Sequence, residues 1–354
     1  MKMKKNKMLL IGFGIVSLIG IVSVGVYRNY LQPSNSDAVR IGAVLPLTGM
    51  LSFVGESARK GMELAIWQRG NDIEFIVADG KSTSKDSIMA YRHLVGQYKV
   101  DAMFCVASTT AKAIAELNPP MPLYMTIVSD TSIAKNNPNW LNLTLNNEQE
   151  VSAIIDYFVR CNKTKVAIIY QHDDLGLYTY ETLKARRDIE LIAAEEVGDE
   201  NQISSVSISV CKRNPDAVFI AAVGSMAANV SRKIVENKYN GVIASFSGFN
   251  TPSVLRQAGN AANGILICYT QYDEGDSKDV KEFHKNYKEK FGEKPDFIAA
   301  YAYSLMSIYL TSSHNEKHYQ TLFGTLGREN DGTIRFPLKV GCINNGIVTG
   351  IKEK

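Results

Sequence analysis

Between Ile41 and Trp67 the chain reads IGAVLPLTGMLSFVGESARKGMELAIW, and this stretch restricts the possible fold more than any other. Residues 41–45 are an uninterrupted apolar run with the length of a strand buried on both faces, the pattern of parallel sheets. Pro46 and Gly49 end the run and open a loop carrying Thr48, Ser52 and Phe53. From Glu56 onward Ala58, Met62, Ala65 and Ile66 return at helical spacing, with Lys60 and Glu63 on the other face. Strand, loop and helix in this order make the first unit of an α/β domain.

The same alternation continues. Apolar runs at 73–78, 102–106 and 123–125 are separated by helical patterns at 56–69, 85–97 and 110–117, and a helix is predicted around 148–160 after Trp140–Thr144. A second series has strands at 166–170, 190–195, 217–221, 241–246 and 264–269 with helices between them. Two such series predict two doubly wound parallel sheets, with polar residues gathered at the carboxyl ends of the strands, where open α/β sheets bind ligands. Further on come a helix at 278–291, a long apolar helix to about Thr311, and strands at 332–336 and 340–351 around an Asn344-Asn-Gly346 turn.

At 354 residues the chain is long enough for two separate cores. A formal charge of +3 that includes Lys2, Lys4, Lys5 and Lys7 leaves the remainder near neutral, so no nucleic-acid partner is implied. The five cysteines (Cys105, Cys161, Cys211, Cys268, Cys342) contain no C-x-x-C pair, which argues against a zinc site. They read as small buried hydrophobes, with one bridge as the alternative, for example between Cys161 and Cys211 just ahead of two predicted neighbouring strands. The N-terminal lysines precede an uncharged run from Met8 to Tyr27, closed by Arg28. About 20 residues at roughly 1.5 Å each match a hydrocarbon layer of about 30 Å. Lysines ahead of the run keep the N-terminus cytoplasmic. A cleaved secretory signal has a shorter apolar core, so an uncleaved transmembrane anchor is expected, with cleavage near Ser23 and Gly25 as the alternative. Gly12-Phe-Gly14-Ile-Val-Ser17 half-matches a dinucleotide fingerprint but follows no strand and lies inside this run.

Enzyme signatures are missing: no G-x-S-x-G elbow, no H-E-x-x-H and no P-loop occurs. His314 and His318 would share a face if their segment were helical, but the polar HNEKH context reads as solvated surface. His172, beside Asp173 and Asp174, reads as a loop residue. Neither an enzyme nor a cofactor or metal is expected.

The order and spacing of residues 40–351 resemble the type I periplasmic solute-binding proteins of the branched-chain amino-acid-binding family. The resemblance is strongest at 41–67, 100–111, 164–176 and 254–266, and includes the PLTG loop, Gly55 and the Lys294-Pro-Asp-Phe-Ile-Ala-Ala-Tyr301 segment. It implies a ligand cleft between two lobes. Ser108 and Thr109, entering a helix after the third strand, match the hydroxyl pair that holds a ligand carboxylate in the family; helix capping is the simpler reading of the same residues. Ser129 and Asp130 fall where the family contacts the ligand's amino group. Asp130 departs from that pattern and either pairs with an ammonium group or caps a short helix at 131–135. Leu175 stands in the Tyr170-Gln-His-Asp-Asp-Leu-Gly176 loop where an aromatic residue is frequent. Ser225 and Ser247 follow the next matching strands, and Ser247 replaces an acidic residue that takes the α-ammonium in amino-acid binders. Phe53 either lines the pocket or packs its own loop.

The expected architecture is α/β: two doubly wound parallel-sheet lobes joined by a hinge, the type I periplasmic-binding-protein fold, preceded by one N-terminal transmembrane helix. Residues 1–28 form the lysines and anchor, 29–38 a linker, 39–145 plus 270–328 one lobe, and 146–269 plus 329–354 the other. The lobe assignment follows from the resemblance. The expected function is the extracytoplasmic solute-binding component of an ABC-type importer, taking a small amino-acid-like, amide or carboxylate solute by hinge closure. Its partners are the solute, an inner-membrane ABC permease and the membrane itself through the N-terminal helix, on the periplasmic side. The alternatives are a membrane-tethered sensing ectodomain acting through a partner, and a hydrolase on a similar scaffold.

Overall fold

The buried apolar runs become strands where the sequence places them. A computed structural model describes residues 38–69, 73–312 and 316–351. In chain order its elements begin β1 (Val39–Leu45), α1 (Ser52–Arg69), β2 (Ile73–Asp79), α2 (Ser84–His93), β3 (Ala102–Val106), α3 (Ser108–Ala115), β4 (Leu123–Thr126), β5 (Trp140–Leu143) and α4 (Asn147–Arg160). Then follow β6 (Lys165–Gln171), α5 (Asp174–Ala185), β7 (Glu190–Val197), α6 (Ile203–Lys212), β8 (Ala217–Ala221), α7 (Gly224–Glu236), β9 (Val242–Ser245), α8 (Pro252–Ala258) and β10 (Leu266–Tyr269). The chain ends with α9 (Gln271–Glu274), α10 (Lys278–Phe291), α11 (Phe297–Thr311), β11 (His318–Thr321), β12 (Gly324–Arg328), β13 (Ile334–Arg335), β14 (Lys339–Asn344) and β15 (Ile347–Gly350).

Two compact units emerge: the described residues of Met1–Glu56 with Ile66–Leu123, and those of Ser57–Ala65 with Tyr124–Lys354. In the first, β1 lies between β2 and β3, all parallel. Residues 41–45 are buried throughout, as a central parallel strand requires. The Ser87 hydroxyl on α2 meets the Thr110 hydroxyl on α3 at 3.1 Å, so these helices share a satisfied polar contact inside the core.

In the second unit the strand order is β15-β14-β10-β9-β8-β6-β7, parallel from β10 to β7, with β14 and β15 antiparallel. The period of two sorts the strands into two cores. Ala167, Ile169, Val218, Ile220, Ile243 and Ile267 face α6, α7 and α8. Val166, Ile168, Ala217, Phe219, Ala244 and Leu266 face α4 and α5. Each fully buried aliphatic or aromatic chain contributes about 1.5–3 kcal/mol, and helices on both faces make the sheet doubly wound. The β14–β15 turn has Asn345 at φ 51° and Gly346 at φ 77°, the two left-handed residues of the expected hairpin.

Some expectations change. All five cysteines are free thiols, and only Cys105 and Cys268 are buried. Cys161 is exposed at the end of α4, and Cys211 on α6 packs against the core of the opposite sheet face, which rules out a bridge between them. His318 begins strand β11 rather than extending a helix, and His314 lies outside the described residues. So does the predicted anchor; among the described residues no helix is long and apolar enough to cross a membrane.

Candidate functional site

In the first unit the loop after β1 is held by Asp79, the last residue of β2. Its Oδ1 accepts from the N–H groups of Leu47, Thr48 and Lys81 at 2.9, 3.2 and 2.8 Å, and its Oδ2 from the Thr48 hydroxyl at 2.6 Å. Partial burial pushes the Asp79 pKa up. The Thr48 hydroxyl and the three N–H groups outweigh that and leave it below the ordinary carboxylate value. Gly55 is required because a Cβ there would lie 2.3 Å from the Pro46 carbonyl oxygen. Thr48 and Gly55 therefore build the loop, and Phe53, 64% exposed, projects from it.

Ser108 and Thr109 open α3, half-buried and exposed respectively, while Thr110 turns inward to Ser87. Neither residue is the helix cap. That position belongs to Ala107, which makes no side-chain capping bond and has φ 76°. A left-handed alanine costs on the order of 1–3 kcal/mol and persists only where its surroundings over-determine it. The first turn of a helix leaves backbone N–H donors without intrahelical partners, so hydroxyls here stand beside a ready anion site.

In the second unit the loop after β4 also carries a left-handed residue, Ile127 at φ 56°. Ser129 and Asp130 follow, both exposed. Asp130 caps the 3₁₀ turn Thr131–Ala134, accepting from the Ser132 N–H at 3.0 Å, which realises the simpler of its two readings. In the β6–α5 loop, Asp173 caps α5 by accepting from the Gly176 N–H at 2.7 Å, and a Cβ on Gly176 would meet the Gln171 carbonyl oxygen at 2.0 Å. Leu175 is half-buried against the α4 side of the core. Ser225 is exposed in the first turn of α7. Ser247 is half-buried at the carboxyl end of β9.

Ser247 has an unexpected partner. Glu150 on α4 is buried, and its carboxylate accepts from the Ser247 N–H at 2.6 Å and from the Ser247 hydroxyl at 3.0 Å. Burial pushes the Glu150 carboxyl up to about 7, against the lowering by Ser247, and Asp273 adds to the rise. The sequence held the signal: Glu150, Ile154 and Phe158 share one helical stripe, so an acid stood on an apolar face. Asp79 had a weaker one, an aspartate ending an apolar run that becomes a half-buried edge strand.

A surface depression in the second unit, lined in part by Lys135, Glu148, Glu329, Asp331 and Arg335, includes none of the residues chosen from sequence. Its charges pair with each other, Lys135 with Asp331 and Arg335 with Glu329. Among the described residues no group of three or more His, Cys, Asp or Glu could hold a metal ion.

The family model described as periplasmic binding protein matches residues 38–312. No curated protein sequence matches the chain significantly. Among solved structures, a putative branched-chain amino acid ABC transporter protein from Rhodospirillum rubrum superposes with a TM-score of 0.77 at 19% identity, covering 89% of this chain and 100% of its own. LivJ from Streptococcus pneumoniae, the substrate-binding protein of a branched-chain amino acid transporter, solved with isoleucine, gives 0.68 at 20% identity, covering 88% and 98%. An ABC transporter solute-binding protein from R. palustris, solved with benzoate, gives 0.65 at 16% identity, covering 89% and 95%. These superpositions show the shared α/β periplasmic-binding-protein fold, and the family match spans most of the sequence: the chain belongs to the periplasmic-binding-protein family.

Proposed function

We propose that the chain is the extracytoplasmic solute-binding component of an ABC-type importer, capturing a small amino-acid-like, amide or carboxylate solute and presenting it to an inner-membrane permease. The observation that carries this reading is the start of α3. Ser108 and Thr109 bring hydroxyls to the helix N-terminus immediately after a left-handed Ala107, the kind of strain that functional loops retain. Isoleucine and benzoate, the ligands of two structural neighbours, have a carboxylate in common, which supports an anion-binding role for this turn. Ser129, Asp130, Leu175, Ser225, Ser247 and Phe53 are the proposed remaining contacts.

Capture proceeds by hinge closure of the lobes 39–145 plus 270–328 and 146–269 plus 329–354, the closed form being the one the permease recognises. No bond in the solute is made or broken. Residues 8–27 tether the protein to the cytoplasmic membrane, on its periplasmic side.

The test is a thermal-shift screen of the purified chain against amino acids, amides and small carboxylates. A true ligand at a hundred times its Kd adds about 2.7 kcal/mol of stability. Changing Ser108 and Thr109 together to Ala should then weaken a carboxylate ligand by roughly 10- to 100-fold, as loss of charge-assisted hydrogen bonds does. Unchanged affinity in that double variant rejects the carboxylate site.

A further inference from the structure

Glu150 is 4% exposed, and the described residues offer its carboxylate no Lys, Arg or His; its hydrogen-bond partners are the Ser247 N–H and hydroxyl. The titratable groups whose charges act on it or feel it are all acids. They are Asp273 on α9, Cys268 on β10 and Tyr301 on α11. An ionised carboxylate with no cation is costly to bury. It is also not sealed away: Ser247 is half-buried and sits where a parallel strand ends, the side on which open α/β sheets bind ligands.

We propose that Glu150 is the specificity-determining residue behind Ser247, supplying from one layer deeper the negative charge that selects a solute with a cationic nitrogen. This deepens the solute-binding reading and rests on Ser247 lining the solute site. The chemistry follows from the hydroxyl's single proton. An ionised Glu150 can only accept, so the Ser247 hydroxyl donates inward and turns its lone pairs outward, toward an ammonium N–H. A protonated Glu150 donates to Ser247 instead, so the serine turns its O–H outward beside a single remaining lone pair and the negative charge is gone, which leaves an ammonium a much poorer partner. A cationic solute therefore binds the ionised form and drives the proton off Glu150. Because this carboxyl titrates near pH 7, binding releases protons around neutrality and tightens as pH rises from about 6 to about 8.

The experiment is isothermal titration calorimetry of the full chain at about pH 6, 7 and 8, each in two buffers of different ionisation enthalpy. The probes are the protein amino acids and ethanolamine, set against propionate, 4-methylpentanoate and benzoate. The expected result is that an ammonium-bearing probe binds best, with proton release larger at pH 6 than at pH 8. Glu150→Gln, which keeps the side chain's size and its hydrogen bonds to Ser247, should abolish the proton release and weaken that probe by roughly tenfold or more. Ser247→Ala, which leaves Glu150 in place, should weaken the same probe comparably. A probe without nitrogen binding best overturns the proposal, as does proton release that survives in Glu150→Gln. A Glu150→Gln chain that weakens every probe equally, with the proton release unchanged, reduces Glu150 to a structural role. Silence from every probe rejects the underlying solute-binding reading instead, and the proposal with it.

Discussion

Glu150 falls on the stripe of α4 that also carries Ile154 and Phe158, so folding moves its carboxyl from water into a core. The cost appears as a pH dependence. Its pKa rises from an ordinary 4.5 to about 7 on folding, so between those values the folded state holds more protons than the unfolded one. Stability from this group is fully present below about pH 4.5 and is lost as pH rises through about 7, by on the order of 3 kcal/mol. Glu150→Gln should therefore leave the solute-free protein more stable than the parent at pH 8 and similar to it near pH 4.5. Urea unfolding at the two pH values measures the difference, and equal stability offsets at both would sink the assignment. Asp130 shows the opposite outcome at this scale. An exposed acid beside a 3₁₀ turn places one carboxylate oxygen on the Ser132 N–H, and sequence alone left capping and ammonium binding level because both use the same residue type.

The elements were largely legible because parallel strands buried on both faces are continuous apolar runs: β3 and β8 occupy the predicted residues, and β1 differs by two at one end. The edge pieces were harder. In β11 only Tyr319 of His318–Thr321 is buried, so one inward residue marks the strand, and the polar context around it read as solvated surface. Loop construction was hidden for a different reason. The loop after β1 depends on Asp79, more than thirty residues away in sequence, and no local pattern reports that contact. It yields a graded prediction. Asp79→Asn keeps a carbonyl oxygen for the N–H groups of Leu47, Thr48 and Lys81, and offers an amide N–H to the Thr48 hydroxyl; it should cost less than about 1 kcal/mol. Asp79→Ala removes all four bonds, leaves the half-buried Leu47 N–H without its carboxylate partner and should cost about 1–3 kcal/mol. Denaturant midpoints of the two variants decide the matter, since equal losses would mean that the carboxylate's bonds do not organise the loop.

Across the whole molecule, the βα order told the fold class, while the joining of distant segments lay beyond any reading of local patterns. Residues 57–65 group with the chain from Tyr124 onward, although they belong to the helix that follows β1. Such a division depends on which surfaces meet, and hydrophobic periodicity records only that a surface is buried. The N-terminal run is a different case, because its reading depends on length and charge rather than on contacts. Met8 to Tyr27 carries no charge, four lysines precede it and Arg28 closes it. A run of that length spans about 30 Å as a helix, enough to cross the bilayer, whereas the apolar core of a secretory signal is about 7–15 residues. Expressed at full length, the chain should therefore sediment with membranes, stay there through a high-salt or alkaline carbonate wash, and keep its full mass. The arginine and the lysines can be used to separate insertion from adhesion: a peripheral protein held by basic residues is released by salt, because the attraction is screened within about a Debye length. Replacing two residues near the centre of the run, Ser17→Lys and Gly20→Lys, should release the chain to the soluble fraction or block its export, at a cost of about 2.5–3.5 kcal/mol per charge. A shortened chain beginning near Ser23 or Gly25 in the soluble periplasmic fraction would instead identify the run as a cleaved signal and remove the tether from the model of function.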